Sequence, residues 1–431
     1  MATTSMPRIG ILDRIWRRRF WLWISLLAAI IAFGLYCGLL VLTQGLGVTA
    51  LHDLAPWGLW IVVDLSCIAL AAGAFSLSAL AHLFGRGHLA PLARIAVFIG
   101  LLGYTGALTC LFIDIGRPDR FWHGWVFWNT HSMLWEVTMC ITLYFSVLML
   151  EVFPMVIELP LFDRFKALRR FGQRIHRLAP LLAIFGMGLS LLHQSSLGGT
   201  YGVVAGRASI YRATMPLLFI VSAVAAGMAF TVQMTLIVQW LKGRILVPRK
   251  VLFEVGQIAG AILLGYLYMR FWDATAGGYG YVPGRTESDL LLTTGTFGLS
   301  FWGWEIILGG IVAAILMIYA RRRQSVGLLL IGCGLTMAGV IANRWNTTML
   351  AFQLPITPPG EPILTIPEVV RYTPNWVEWG VALGVVAGLT FVFSLGMRFL
   401  PAYRGVEAVP LRRDSAKPAP SASVPQPAAG D

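Results

Sequence analysis

The chain has 431 residues, 57% of them hydrophobic and only 12% charged, with a mean hydropathy of +0.73. That balance excludes an ordinary soluble domain. The net charge of +13 would suit nucleic acid, but its distribution along the chain points to membrane topology instead.

Apolar runs near or above the spanning length of ~20 residues recur. They lie at roughly 20–43, 57–84, 92–112, 132–153, 179–196, 213–240, 251–270, 298–320, 326–343 and 376–399. A spanning segment must satisfy its own backbone, so these runs predict helices. The alternation of a membrane barrel is absent. The predicted fold is an all-α integral membrane protein with about ten transmembrane helices. Residues 1–19 form a cytoplasmic N-terminal segment, 20–400 the helical domain, and 401–431 a disordered, Pro/Ala/Ser-rich cytoplasmic tail.

With the N-terminus inside, eight of the 33 Lys and Arg fall outside: Arg117, Arg120, Arg207, Arg212, Arg270, Arg285, Arg344 and Arg371. The other 25 fall inside, the bias that sets helix orientation. Both termini are therefore expected in the cytoplasm, and the excess charge reports contact with anionic lipid rather than DNA. The apolar run after Arg19 is too long for a cleaved signal and lacks a clear cleavage site. The inner loop 154–178 contains LFDRFKALRRFGQRIHRL, which reads either as an interfacial amphipathic helix or as a basic loop under headgroups. Outer loops at 113–131, 197–212, 271–297 and 344–375 are longer and rich in Trp, Tyr, Gly and Pro. Their aromatics suit an interfacial belt or a docking surface for a partner.

Eleven ionisable residues sit in or beside the apolar runs, all toward the outer side: Asp64, Asp114, Arg117, His131, Glu136, His193, Arg270, Asp273, Glu305, Arg344 and Glu378. Charge in lipid is costly, so each is a functional candidate. Asp114 and Arg117 are spaced to meet across a turn, as a helix-end ion pair or as a site where Arg117 orients a ligand oxygen. Glu136 lies ~7.5 Å deeper than His131, and Asp64 ~10 Å below Trp57. These two carboxylates enter from the same side and are expected to face each other and share a proton. His193, followed by Gln194, closes the fifth helix as a candidate proton donor or as a cap. Glu305 has Arg344 as its expected counter-ion. The inner half offers only hydroxyls and amides such as Ser76, Thr138, Thr142, Tyr144, Thr231 and Gln233.

The five cysteines are dispersed, with no C-x-x-C, so neither a cluster nor zinc is expected. No helix stacks two histidines as bis-histidine heme requires, and no nucleotide or hydrolase motif stands out. No metal site, heme, flavin or iron–sulfur cluster is therefore expected in this chain. No internal repeat is visible.

Several stretches together resemble the NrfD/PsrC superfamily of quinone-interacting membrane subunits. They are Pro56-Trp57-Gly58-Leu59-Trp60 with Asp64, Gly103-Tyr104 with Asp114-Ile115-Gly116-Arg117, His131-Ser132 with Glu136, and His193-Gln194-Ser195-Ser196. Phe301-Trp302-Gly303-Trp304-Glu305, Asn343-Arg344 and Tyr372-Thr373-Pro374-Asn375-Trp376 extend the likeness over roughly residues 50–400. It is similar to the ten-helix branch, which includes the hydrogenase-2 membrane subunit and the NrfD-like subunit of the Dsr and Hmc complexes. The loop Tyr281-Val282-Pro283-Gly284-Arg285 looks closer to the latter.

The resemblance implies a subunit of a quinone-linked respiratory oxidoreductase in the bacterial inner membrane. It implies menaquinone or ubiquinone as substrate near the outer face and a periplasmic ferredoxin-like partner with [4Fe–4S] clusters. On this reading Asp64, Glu136, His131 and His193 handle protons, while Asp114, Arg117, Gln194, Glu305 and Arg344 bind the quinone. A secondary transporter, a proton-translocating subunit without quinone chemistry, and a passive anchor are the rival classes.

Overall fold

The computed structural model describes residues 11–204, 206–207, 209–280, 285–353, 372–400 and 409–410. Among them, ten helices are long and apolar enough to cross a membrane. They are α1 (Arg18–Gln44), α2 (Leu59–Leu83), α3 (Gly87–Asp114), α4 (Met133–Ile157), α5 (Ala179–Gly202), α6 (Met215–Lys242), α7 (Arg249–Tyr279), α8 (Leu299–Arg323), α9 (Val326–Phe352) and α10 (Trp376–Phe399). An even number of spans brings the start of α1 and the end of α10 to one side, here termed the basic face. The opposite side, where α2 and α4 begin, is the aromatic face.

The helices pack as two rings of four. In the first, α2 neighbours α3, α3 neighbours α4, α4 neighbours α5, and α5 returns to α2. In the second, α6 to α9 close in the same order. The two rings meet through α2 against α6, with α5 on α6 and α9 on α2. The two rings share this order of neighbours and run in the same direction, although α3 also packs on α6 without a comparable contact of α7 on α2. Where α2 crosses α6, a side chain on Gly73 or Gly227 would strike the opposing backbone. Small residues at such crossings let helices approach closely where lipid offers no hydrophobic drive. Helices α1 and α10 pair with each other and lean on α3.

Loop structure follows local sequence. The basic segment 154–178 contains a helix at Lys166–Arg177, which buries Gly172 and Ile175 and exposes its arginines, as an interfacial amphipathic helix does. Asn375 caps α10, accepting from the backbone N–H of Val377 and Glu378, while Glu378 accepts from Asn375 N–H at 2.9 Å. Glu378 also takes Ala50 N–H at 3.1 Å and the Tyr372 hydroxyl. Its burial is thereby explained by capping. The tail and residues 281–284 lie outside the described residues, apart from Val409–Pro410, which pair antiparallel with Arg244–Ile245.

Residues 118–128 fold back along α4. Trp125 Nε1 donates to Thr142 Oγ1 at 3.0 Å, about 13 Å along α4 from its start. Phe121, Trp122, Trp125, Phe127 and Trp128 remain exposed around it. The segment is thus applied to the side of the bundle rather than standing clear of it.

Candidate functional site

Helix α2 breaks near its middle. The Ala72 N–H bonds to Ala69 O at 3.2 Å rather than to Ile68 O. The released Ile68 carbonyl is taken by the Gln194 side-chain amide of α5 at 3.1 Å. A carbonyl freed at membrane depth needs such a donor. The Gln194 amide thereby holds α5 against the break.

Below and beside this joint, α2, α3, α4 and α5 gather polar groups. His193 is fully buried, and neither ring nitrogen has a protein hydrogen-bond partner. Its ring lies 5.4 Å from that of Tyr104, which lies 4.8 Å from that of Tyr144. Ser190 borders both tyrosine hydroxyls. The hydroxyls of Tyr104, Tyr144 and Ser190 are buried with only one another near. Oδ1 of Asp64, whose residue is 5% exposed, and Oδ1 of Asp114 are buried without a hydrogen-bonding partner among the described residues. Buried polar atoms are nearly always hydrogen-bonded. For Asp64, Asp114 and His193 the described residues offer none, which leaves room for water or a ligand. Glu136 accepts from Ser196 Oγ of α5 at 2.8 Å. One cation lies within spans α2–α5, Arg94, and it pairs with Glu158 at 2.9 Å toward the basic face.

The second ring treats its charges differently. Asp273 of α7 accepts from Arg212 at 2.5 Å, from Arg270 at 3.1 Å and from the Thr214 hydroxyl, with Arg285 at 3.5 Å. Burial, with Arg270 nearby, pushes the Arg212 guanidinium down to about 10. Arg212 therefore stays a cation at neutral pH. Glu305 of α8 accepts from Asn343 and Asn346 of α9, both at 2.9 Å, and from Tyr266 at 3.4 Å. Its ion partner is Arg270 at 3.4 Å. Arg344 instead donates to Asn343 Oδ1 at 2.7 Å and Ser222 Oγ at 2.9 Å and stacks over Phe219 at 3.8 Å. The expected Glu305–Arg344 pair is thus replaced by Glu305–Arg270. Residue 344 also lies inside α9 rather than at its end.

Two other expected members are elsewhere. Arg117 is exposed and grips Asp119 with two bonds of 3.0 Å, not Asp114. Gly116, at φ 72°, turns the chain between them. The Arg117 guanidinium holds the Asp119 carboxyl below its usual range. His131 is exposed in the connection before α4. Asp64 and Glu136 sit on helices diagonal to each other in the first ring, with α3 packed against both α2 and α4.

Sequence reasoning also missed Glu151, a half-buried carboxylate in the basic half of α4. The signal was present, a charge in an apolar helix, but that half of the bundle was read as bare. Tyr104 was noted only as part of a family motif.

The family model "Polysulphide reductase, NrfD" matches residues 47–354. The chain is 36% identical over 393 residues to the menaquinone reductase integral membrane subunit of Nitratidesulfovibrio vulgaris, covering 89% of this chain and 92% of that one. It is 25% identical to the probable Ni/Fe-hydrogenase 2 b-type cytochrome subunit of Escherichia coli, covering 85% and 89%. It is also 25% identical to the Hdr-like menaquinol oxidoreductase integral membrane subunit of Archaeoglobus fulgidus, covering 90% and 95%. With ten apolar spans and a family match across most of its length, this chain belongs to the NrfD family of membrane proteins and is a quinone-linked component of an oxidoreductase complex.

Proposed function

We propose that the α2–α5 ring binds a quinone headgroup and supplies or accepts its protons. The carrying observation is the set of buried, unpartnered groups of Asp64, Asp114 and His193, with Tyr104 next to His193, in a ring with no cation beside them. A quinone carbonyl accepts hydrogen bonds, and a quinol hydroxyl donates them. Imidazole, carboxyl and phenol groups can meet both forms. Reduction takes two electrons and two protons; the electrons come from or return to a partner subunit, and the protons pass through these side chains. Glu136, tied to Ser196, completes the ring near the aromatic face.

Tyr104, Ser190 and Tyr144 continue from His193 toward the basic face. Glu151 lies about 10 Å beyond Tyr144 along α4. With bridging water, these groups supply protons from the basic side. The charge bias of the loops puts that side in the cytoplasm of a bacterial inner membrane, with both termini there. An iron–sulfur subunit of ferredoxin type docks on the aromatic, periplasmic face, and the chain itself holds no heme, flavin or cluster. The relatives' names support the quinone and the multi-subunit setting.

The doubled ring favours a second reading, a secondary transporter, since such proteins are often built from repeats. Purification of the native complex with lipid extraction separates the two. Quinone near one per chain, travelling with an iron–sulfur subunit, is expected. A chain that purifies alone, without quinone, and supports ion flux would overturn the proposal.

A further inference from the structure

A groove of about 940 Å³ runs along the membrane between α1, α3 and α10. It extends from Leu42 and Ile113 near the aromatic face to Phe399 and Leu400 at the basic face. Its walls present no charged side chain. The two hydroxyls on the α3 wall are turned inward: Thr105 donates to Leu101 O and Thr109 to Thr105 O, each at 2.8 Å.

Helix α3 is shared between groove and site. One side carries Tyr104 and Asp114; the other carries Thr105, Thr109 and Ile113. The groove lining thus reaches Ile113, the neighbour of Asp114 in sequence, on the other side of the same helix.

We propose that this groove seats the polyisoprenoid tail of the quinone whose headgroup occupies the α2–α5 ring. The inference rests on that functional reading and extends it to long-tailed quinones. The absence of Lys and Arg from the lining disfavours an anionic phospholipid, whose headgroup seeks such cations. A neutral, flexible, apolar chain passing around the aromatic end of α3 to a headgroup at Asp114 matches the apolar lining and the place where it ends, at Ile113. Gly388 of α10 supports an open track, because a Cβ there would meet nothing within 4 Å.

The test uses the intact complex in lipid nanodiscs. Gly388→Phe fills the track in midmembrane, and Gly38→Phe fills it nearer the aromatic face, where a Cβ approaches Ile113 at 3.7 Å. Both variants should raise KM for a long-tailed menaquinone about tenfold, the loss of roughly two buried methylenes. Turnover of a tailless dimethylnaphthoquinone should stay at the wild-type rate. Unchanged KM for the long-tailed quinone in both variants would overturn the proposal, and loss of bound phospholipid in that case would assign the groove to lipid.

A photoreactive group on the tail of menaquinone tests the wild-type complex directly, whatever the variants do to folding. Adducts should map to α1, α3 and α10; adducts confined to α6–α9 would refute the groove. Failure of wild type to turn over either quinone would instead sink the functional reading, a different outcome from loss of tail discrimination.

Discussion

The two rings share a packing plan and use buried charge in opposite ways. Each places a carboxylate near the aromatic face and gives it a partner on the next helix: Glu136 takes Ser196, and Glu305 takes Asn346. Around Glu305 and Asp273, three arginines, two asparagines, a threonine and a tyrosine occupy every carboxylate oxygen. Around Asp64 and Asp114 no such supply exists among the described residues, His193 is equally unpartnered, and Tyr104 and Tyr144 have only Ser190 and each other near. A buried carboxylate with every oxygen held is fixed in place, although Nε of Arg212, Arg270, Arg285 and Arg344 and Oδ1 of Asn346 around it make no hydrogen bond. An unsaturated one costs stability and persists where a ligand or proton completes it. The same architecture thus provides a rigid half and a reactive half.

Breaking the saturated half should have the largest effect, and on assembly. Arg270→Leu leaves Asp273 and Glu305 short of a cation inside the bundle, a loss of about 3–5 kcal/mol. The expected readout is a collapse of detergent-solubilised complex on size exclusion; normal yield and melting would show the network to be dispensable. In the reactive half, Glu136→Gln keeps volume and the Ser196 contact but removes the titration. Assembly should persist while quinone turnover falls by roughly 10²-fold, the scale of a positioned acid–base group. Glu151→Gln should be milder, because water can substitute for a relay member: about a tenfold slower turnover, relieved in uncoupled vesicles if the group feeds protons from the basic side. Arg117→Ala, at the surface, should leave melting and quinone KM at wild-type values; a large KM increase would return Arg117 to the site.

Much of the fold was legible because lipid constrains sequence so strongly. Length and hydropathy placed all ten spans, although α7 and α9 run on past residues 270 and 343. Those extensions hold the polar residues Asp273 and Arg344, which interrupt the apolar signal while remaining helical. The two-ring plan was not legible, since the meeting of the rings is carried by small residues such as Gly73 and Gly227 rather than by repeated sequence. Candidate residues were found by cost, as charges in lipid, and that rule does not tell a saturated charge from an open one. It grouped Glu305 and Arg344 with Asp64. It also admitted Arg117 and His131, which belong to surface turns. Pairing depends on which helices adjoin, and only the packed structure supplies that.

The central claim is that the ring whose carboxylates are open handles quinone protons and the ring whose carboxylates are held does not. The most direct measurement compares Asp64→Asn with wild type in the intact complex, recording quinone reduction and transfer of electrons from the partner to a soluble dye in the same preparation. Asn keeps the shape of the aspartate and cannot release a proton at neutral pH. Quinone reduction lowered by roughly 10²-fold or more, with dye reduction unchanged, is the predicted result. Full quinone activity in Asp64→Asn would contradict the account and leave Asp64 a structural residue.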